Sequence, residues 1–410
     1  STLYVGTDGG IFKTEDSTNL IAGYYTDITK GLGIRQNYKI GVSQTADVII
    51  SGGSQDNGTS FYTSTDGWID WIGADGMETF IDKENTDRMF GTSQQGQLYR
   101  TLNGGQSLSN ISEPGAGSGN WVTPWEQDPV ESITSYLGYS IVYKTSNGGN
   151  SWTPVSQNFG ANLDHIKISQ SDNQTIYAAR STKFYRTQDA GATDWEEMTN
   201  PGGSIRSIAI HPTIPEKVAV ATSSSNKVYV SLDGGATWTD YKFNLPNFNS
   251  LALVWDDNGE DGLYLGMDYG IFYIDNTFAD WQPYNTNLPN VIINELEINN
   301  LDGKIYAGTY GRGVWASPIV PSVLSTESFL STKDVILYPN PTNDKITLSF
   351  NKGTEADFNV FDLLGKLVIY QPNVSITQSH DIDVSKLNNG VYFVRISSDA
   401  GTITKKIIKK

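Results

Sequence analysis

The feature that most constrains the fold is a repeated two-strand phrase along residues 1–320. Each phrase places two short β-rich runs around a Gly, Ser or Asp turn, which is typical of a hairpin. An aromatic residue in the second run sets the register, with an average spacing of about 43 residues. This period predicts four-stranded propeller blades. The aromatic positions are Phe12, Tyr62, Tyr99, Tyr143, Tyr185, Tyr229, Tyr273 and Trp315.

A second marker, a short box of the type SLDGGATW (231–238), follows the hairpins. Its Asp or Asn is expected to accept hydrogen bonds from nearby backbone N–H groups, and its Gly takes a positive φ. Its Trp is expected to begin the next strand and to pack between blades. We therefore assign the boxes to structure rather than to catalysis. Their residues are Asp66, Asn103, Asn147, Asp189 and Asp233, with Trp71, Trp152, Trp195 and Trp238.

The repeat predicts an all-β propeller of about eight blade units. The first unit opens on its second strand, and the eighth ends after its third strand, at Pro318. An eight-bladed closed ring and the end of a larger propeller assembly both fit this pattern. A ring must close to remove its sheet edges, and the incomplete start favours a larger assembly.

Composition excludes several classes of function. The formal net charge of −17 argues against nucleic acid as a partner, because such a surface repels phosphate. The absence of cysteine excludes disulfides, thiolate metal sites and cysteine nucleophiles. No apolar run approaches the length of a membrane span. Aromatic residues make up 11% of the chain, which predicts an extensive core.

The boxes and their spacing resemble the Asp-box repeat propellers, a group that includes sialidases, sortilin-type receptors and xyloglucanase-like glycosidases. The resemblance covers residues 1–320. It implies the propeller fold strongly and function weakly.

The repeat stops after residue 320. A polar linker is predicted at 321–334, and residues 335–410 show alternating strand patterns separated by turn residues. We expect a separate small β-sandwich there. Residues 325–410 hold 10 Lys/Arg and 9 Asp/Glu, so nearly all of the negative charge belongs to the propeller.

The C-terminal segment resembles the type A C-terminal sorting domain of type IX secretion. The resemblance implies export from a Gram-negative Bacteroidota cell to the surface or medium. It also implies that the translocon and an outer-membrane shuttle barrel recognise residues 335–410. We expect a strand edge or the lysine-rich end to be the contact. The matching residues are Pro339, Asn340, Pro341, Gly365, Gly390 and Tyr392, followed by Lys405, Lys406, Lys409 and Lys410.

The turns between the second and third strands of the blades are expected to share one face with the connections between blades. That face gathers carboxylates, amides and aromatic rings, which suit the hydroxyls and ring faces of sugars. The ligand-binding candidates are Asp8, Gln55, Asn57, Gln94, Trp121, Tyr139, Arg180, Tyr269, Tyr310 and Arg312.

Two hypotheses for function follow. The first is a propeller that binds glycan or another surface without chemistry of its own. The second is a xyloglucanase-like glycoside hydrolase, with Asp56, Asp75 and Asp268 as candidate acid and base. A sialidase is disfavoured because no arginine triad is evident. No cofactor is expected, although Asp256, Asn258 and Glu260 form a weak candidate for a structural Ca²⁺ site.

Overall fold

The computed structural model describes residues 1–7, 10–18, 23–115, 117–256, 258–320, 335–350, 354–363, 365–398 and 401–410. These residues form strands and one single-turn 3-10 helix, Gln94–Gly96. The chain divides into two compact units, Ser1–Ser322 and Val323–Lys410. The predicted linker, 321–334, lies outside the described residues.

The first unit contains eight antiparallel sheets, in each of which consecutive strands of the chain are neighbours. The N-terminal sheet holds β1 (Leu3–Thr7), β2 (Gly10–Thr14) and β3 (Thr26–Asp27). Blade 1 holds β4 (Asn37–Val42), β5 (Ile50–Ser54), β6 (Gly58–Thr63) and β7 (Gly67–Ile72). Blade 2 holds β8 (Gly76–Ile81), β9 (Met89–Ser93), β10 (Gln97–Thr101) and β11 (Ser109–Ile111). Blade 3 holds β12 (Trp125–Gln127), β13 (Ser135–Gly138), β14 (Val142–Thr145) and β15 (Thr153–Pro154).

The remaining blades repeat this arrangement. Blade 4 holds β16 (His165–Ile168), β17 (Ile176–Arg180), β18 (Lys183–Thr187) and β19 (Glu196–Met198). Blade 5 holds β20 (Ile205–Ile210), β21 (Val218–Thr222), β22 (Val228–Ser231) and β23 (Thr239–Asp240). Blade 6 holds β24 (Ser250–Asp256), β25 (Gly262–Met267), β26 (Gly270–Ile274) and β27 (Gln282–Pro283). Blade 7 has three strands, β28 (Ile293–Asn299), β29 (Lys304–Thr309) and β30 (Val314–Pro318).

Seven of the eight sheets close into a ring. The first strand of each blade contacts the first strand of the next, and β28 of blade 7 contacts β4 of blade 1. Asn299 of blade 7 donates from Nδ2 to the carbonyls of Ser43 and Thr45, at 2.9 and 2.8 Å. Asn294 donates to the carbonyl of Asn37 at 2.9 Å. The predicted all-β propeller is confirmed, and its ring consists of blades 1–7.

The N-terminal sheet is not a blade of this ring. Among the residues that the structure describes, its strands pack mainly against one another, and none of them makes with a ring strand the extensive contact that joins neighbouring blades. Tyr4 in its first strand is 61% exposed, whereas the corresponding strands of the ring are buried. The sequence therefore identified the eight sheets correctly. It did not show that the N-terminal sheet lies outside the ring and that blade 1, the second sheet, closes on blade 7.

The Asp-boxes are turns between the third and fourth strands of a blade. In the box of blade 5, Asp233 Oδ1 accepts hydrogen bonds from Ser231 Oγ at 2.7 Å and from the backbone N–H of Thr237 at 2.8 Å. Asp233 Oδ2 also accepts from the Thr237 hydroxyl, at 2.6 Å. This bond makes the largest contribution, and together the bonds lower the pKa of Asp233 to about 2. Asp189 holds the same position in blade 4, and Asn103 and Asn147 do so in blades 2 and 3.

The box tryptophans connect neighbouring blades. Each indole Nε1 donates to a backbone carbonyl about 40 residues earlier in the chain: Trp152 to Ser112 at 3.0 Å, Trp195 to Val155 at 2.8 Å and Trp238 to Thr199 at 2.8 Å. Trp195 is buried and Trp152 and Trp238 are half-buried, and in each of them the one polar group of the ring is satisfied. Repetition of this bond explains why the tryptophans keep a constant spacing.

The second box glycine allows adjacent blades to approach closely. Gly235 has φ +93°, and a Cβ there would lie 2.7 Å from the Phe184 ring of the preceding blade. Gly149 is equivalent, since its Cβ would lie 2.9 Å from Ile111. A side chain at either position would therefore strain the turn and collide with the neighbouring blade.

The box of blade 1 departs from this pattern. Asp66 lies in a tight turn in which its backbone N–H donates to Thr63 Oγ1 at 3.0 Å. Trp71 lies inside β7 rather than before it, and its buried Nε1 has no hydrogen-bond partner among the described residues. Trp71 therefore packs in the core without the connecting bond that we expected from a box tryptophan.

The second unit is a two-sheet sandwich, as predicted. One sheet has the order β31 (Val335–Tyr338), β32 (Lys345–Phe350), β35 (Ser379–Asp383). The other has the order β34 (Leu367–Ile376), β33 (Thr354–Phe361), β36 (Gly390–Ser398), β37 (Gly401–Lys409). Side chains from both sheets, among them Ile346, Phe358 and Ile407, form one buried core.

Ring closure can be tested at Asn299. Replacement by Ala removes the donor to the buried Ser43 carbonyl and the partly buried Thr45 carbonyl, and it also removes the acceptor of the Leu301 and Asp302 N–H groups. We expect Asn299→Ala to lower the free energy of unfolding by about 2–3 kcal/mol. All ten tryptophans lie in the first unit, so thermal unfolding followed by tryptophan fluorescence monitors the propeller alone. The exposed neighbour supplies the control, Asn300→Ala, and an equal loss in both variants would contradict this role.

Candidate functional site

The upper face is the end of the ring that carries the turns between the second and third strands and the connections between blades. At the junction of blades 7, 1 and 2 it holds a hydrogen-bonded group that we call the Asp56–Asp75 cluster: Tyr38, Gln55, Asp56, Asp75, Gln94 and Tyr310. Ring closure assembles it, because Tyr310 and Gln55 are far apart in the chain and their side chains are hydrogen-bonded.

Two carboxylates meet in this cluster. Asp75 Oδ1 accepts from the backbone N–H of Asp56 at 2.6 Å, and Gln94 Oε1 accepts from the backbone N–H of Asp75 at 3.3 Å. Asp56 is exposed and has φ +56°, so its position at the tip of a tight turn is held by the Asp75 side chain. The structure thus brings two of the three residues that the sequence suggested as acid and base into contact, through the Asp75 carboxylate and the Asp56 backbone.

Two tyrosines complete the cluster. Gln55 Oε1 accepts from Tyr38 Oη at 3.1 Å and also from Tyr310 Oη, and the two rings lie 5.8 Å apart. Burial, Tyr38 and the nearby Asp56 and Asp75 charges raise the pKa of Tyr310. Tyr310 therefore keeps its proton at neutral pH and acts as a hydrogen-bond donor.

A polar path continues from the cluster across blade 2. Gln95 follows Gln94, and its backbone N–H donates to the carbonyl of Trp121 at 3.3 Å. The Trp121 side chain is 49% exposed. Carboxylates, amides and an exposed indole therefore follow one another along the upper face from blade 7 to the start of blade 3.

Asp268 lies apart, in blade 6. Its Oδ2 accepts from the backbone N–H and from the side chain of Asn249, at 3.0 and 2.8 Å. The adjacent Tyr269 stacks on Phe248 with ring centres 5.4 Å apart, and both rings are exposed. This second aromatic platform is therefore separate from the Asp56–Asp75 cluster in the order of the blades.

The remaining candidates divide by exposure. Tyr139 is fully buried and donates to the carbonyl of Gly96 at 3.1 Å, so the expectation that it lines the upper face is corrected. Arg180 is partly exposed at the end of β17, and Arg312 is exposed in blade 7. Asn57 donates to the carbonyl of Gln55 at 3.0 Å. Asp8 lies outside the described residues.

The first strands of the blades, which contact one another around the ring, carry charges that the motifs did not reveal. Glu295 forms an ion pair with Lys39, and Glu126 forms one with Lys167 at 3.0 Å. Burial raises the pKa of Glu78 to about 7 and that of Glu297 to about 8, while burial lowers the pKa of His165 to about 3. The sequence signal for these charges is the alternation of Glu with apolar residues in the first strand of a blade, as in NELEIN (294–299).

The calcium candidate is occupied by internal contacts. Asn258 Oδ1 accepts from the backbone N–H groups of Glu260 and Gly262, at 2.9 and 3.1 Å, and Asn258 Nδ2 donates to Tyr273 Oη at 2.7 Å. Asp256 is buried. In the part of the chain that the structure describes, no group of three or more His, Asp or Glu side chains is placed to hold a metal ion.

In the second unit, Asn340 covers part of a sheet edge. Its Nδ2 donates to the carbonyl of Lys406 at 2.8 Å, and its Oδ1 accepts from the backbone N–H of Ile408 at 2.9 Å. Thr342 continues the pairing with backbone bonds to Ile408 and Lys410. The segment around Pro339 and Pro341, both of which follow cis peptide bonds, therefore acts as a short extra strand beside β37.

The other predicted signal residues of this unit serve its turns, core and surface. Gly365 has φ +79° in a turn closed by its bond to the Asp362 carbonyl, Gly390 begins β36, and Tyr392 is largely buried. Lys406 and Lys410 are exposed and Lys405 is half-buried, whereas Lys409 is only 8% exposed. Lys409 is therefore poorly placed to dock on a partner, in contrast to the expectation from sequence.

Two family models match the chain. Residues 336–410 match the secretion system C-terminal sorting domain, and residues 140–249 match the model described as sortilin, neurotensin receptor 3. The chain is an Asp-box β-propeller followed by a type IX secretion sorting domain. The sorting domain marks the propeller as cargo that interacts with the secretion machinery and is exported to the cell surface or beyond.

Relatives of the Asp-box propeller include two curated proteins. An ulvan lyase of Nonlabens ulvanivorans is 23% identical over 307 residues, which cover 70% of this chain and 50% of that protein. A xyloglucanase of Hypocrea jecorina is 25% identical over 191 residues, which cover 43% of this chain and 23% of that protein. The chain thus spans at most half the length of these relatives.

Solved structures share the fold. An ancestral GH74 enzyme has a TM-score of 0.58 at 14% identity, with 92% of this chain and 62% of that chain covered. The WD40 repeats of RRP9 have a TM-score of 0.56 at 11% identity, with 69% of this chain and 94% of that chain covered.

Within the described residues, no helix is long and apolar enough to span a membrane.

The covering role of Asn340 in the sorting domain can be tested. Asn340→Asp keeps the size and the acceptor but removes the donor to the Lys406 carbonyl. We expect faster amide hydrogen exchange at Ile408 and Lys410, because loss of one bond loosens the adjacent pairing. Hydrogen exchange with mass spectrometry on the intact chain measures this. Asn343→Asp, in the following turn, is the matched control, and equal exchange in both variants would contradict the proposed pairing.

Proposed function

We propose that the propeller binds polysaccharide on its upper face after delivery to the surface or medium of a Bacteroidota cell. Delivery would depend on recognition of residues 335–410 by the translocon and its outer-membrane shuttle. The observation that carries the binding proposal is the continuous path from Tyr310 through the Asp56–Asp75 cluster to Trp121. An extended row of hydrogen-bonding groups with an exposed aromatic ring suits an extended ligand rich in hydroxyls.

The chemistry of the path supports a sugar ligand. Amide groups donate to and accept from hydroxyls, carboxylates accept from them, and neither contact requires a charge on the ligand, while indole rings pack on the apolar faces of sugar rings. Two relatives are named for polysaccharides, ulvan and xyloglucan, which agrees with this ligand class. Delivery outside the cell agrees with this ligand class as well, since polysaccharides of this kind are found outside the cell.

Binding is tested with Trp121→Ala in affinity electrophoresis against a panel of algal and plant polysaccharides. We expect about two- to tenfold weaker retention, the range for loss of one aromatic stacking contact. Phe278→Ala is the matched control, because Phe278 is also exposed but follows a turn between third and fourth strands, on the opposite face. Equal retention of both variants and the parent chain would contradict the proposal.

A second candidate function is cleavage of the bound polysaccharide. The 2.6 Å contact between Asp75 Oδ1 and the backbone of Asp56 favours it, because it places two carboxyl groups in one exposed cluster. Such a pair can serve as acid and base if one carboxyl is protonated when the other is ionised. Asp268 lies in another blade and is not part of this pair.

Cleavage is tested by incubation with the same polysaccharides and measurement of reducing ends and of absorbance from unsaturated products. If the pair is catalytic, we expect Asp56→Asn and Asp75→Asn each to reduce the rate at least about 100-fold, the lower range for loss of a general acid or base. Asp268→Asn is the control and should retain activity. Absence of product with the parent chain would reject cleavage and leave binding intact.

A further inference from the structure

A cleft of about 480 Å³ lies between blade 7 and blade 1, next to the Asp56–Asp75 cluster. Residues 29–35, which enter blade 1, form one wall, and the start of β30 forms another. The cleft adjoins the cluster through consecutive residues, since Asn57 follows Asp56 and Arg312 is two residues after Tyr310. A ligand on the upper face can therefore extend into it.

Three cationic side chains line this cleft: Lys30, Arg35 and Arg312. One acidic neighbour, Asp70, pairs with Arg35 at 2.8 Å. No ion pair joins Lys30 or Arg312 to a carboxylate within the described ranges of the chain. The charged side chains that line the cleft are therefore cationic, with Asp70 paired to Arg35, although the carboxylates of Asp56 and Asp75 lie in the adjacent cluster.

The Arg35 side chain and the backbone of Arg312 are held in place before any ligand arrives. Arg35 Nη1 donates to the carbonyl of Asn57 at 3.0 Å, and the Arg35 carbonyl accepts from the N–H groups of Gly311 and Gly313, both at 3.1 Å. The backbone of Arg312 is fixed by Thr309 Oγ1 at 3.0 Å and by Trp315 Nε1 at 2.9 Å. The Arg35 guanidinium is thus ordered in advance at little further cost, whereas the exposed Arg312 guanidinium donates only to the Gly311 carbonyl among the described residues, at 3.3 Å, and extends from a fixed backbone.

An aromatic surface lies on the same cleft. At the end of the cleft away from the Asp56–Asp75 cluster, just after the box turn of blade 1, the Trp68 side chain is 49% exposed and rests on Tyr62, with ring centres 5.6 Å apart. An exposed indole beside guanidinium and ammonium groups can bind a ring on its face while the cations bind an acidic substituent. A neutral sugar would use only the first of these contacts.

We propose that this cleft is a subsite for an acidic sugar, one that carries a carboxylate or a sulfate. Arg312 and Lys30 bind the anionic group, Arg35 donates beside them, and Trp68 packs on the sugar ring. The proposal rests on polysaccharide binding by the upper face and specifies the class of polymer that it prefers.

The test compares three polymers with the 410-residue chain by isothermal titration and affinity electrophoresis: polygalacturonate, dextran sulfate and neutral dextran. The double variant Lys30→Gln/Arg312→Gln should bind the acidic polymers at least about tenfold more weakly, because two charge-assisted contacts are lost. The affinity of the double variant for the acidic polymers should also depend less on salt concentration than the affinity of the parent chain does. Arg312→Lys, in the otherwise unchanged chain, should retain most of the affinity.

The control variant is Lys183→Gln, which removes one positive charge from an exposed position in blade 4, where Lys183 pairs with Glu197, and should bind as the parent chain does. The subsite is supported if the parent chain binds either acidic polymer more tightly than neutral dextran and the double variant loses this preference. The acidic polymer that binds more tightly then identifies the anionic group as a carboxylate or a sulfate. Retained preference in the double variant overturns the subsite. If the chain binds neutral polysaccharide and shows no preference for acidic polymers, only the subsite proposal is overturned. If it binds none of these polymers and none of the algal and plant polysaccharides, both proposals are overturned. Unchanged thermal unfolding of the variants separates these outcomes from misfolding.

Discussion

Closure of blade 7 on blade 1 is the constraint on which the rest of the propeller depends. Each blade buries its faces against its neighbours, so an open row would leave two apolar faces exposed. Here the closing blade draws all its strands from one continuous segment, residues 293–318. Closure therefore relies on side-chain bonds such as those of Asn299 and Asn294, and on packing of Ile40 and Val42 against Tyr306.

The same closure creates the candidate site. Gln55 belongs to blade 1 and Tyr310 to blade 7, and their hydrogen bond exists only because the ends of the ring meet. The cleft lined by Arg35 and Arg312 has the same origin. A site at the junction of the first and last blades is thus coupled to the integrity of the ring in a way that the Phe248–Tyr269 platform of blade 6 is not.

Local features of this fold could be predicted from sequence, and contacts between distant segments could not. The bond of Trp238 to Thr199 repeats in several blades, so it leaves a periodic signal. The pair Asp56 and Asp75 was accessible because both residues occupy turns of adjacent units. The pairing of Tyr38 with Tyr310 occurs once, spans nearly the whole repeat and leaves no pattern. Tyr139 was misassigned because a position beside a turn can face inward, and pattern alone does not give the direction of a side chain.

Net charge gives a misleading impression of what this surface can bind. A charge of −17 predicts repulsion of any polyanion at long range. At physiological ionic strength, however, exposed charges separated by more than about 8 Å are largely screened. Recognition of a sugar is then decided by the few groups that touch it, and the cleft between blades 7 and 1 offers Lys30, Arg35, Arg312 and Trp68, with Asp70 paired to Arg35. An acidic propeller can therefore select an acidic polymer, provided that the cations are concentrated at a single cleft rather than spread over the face.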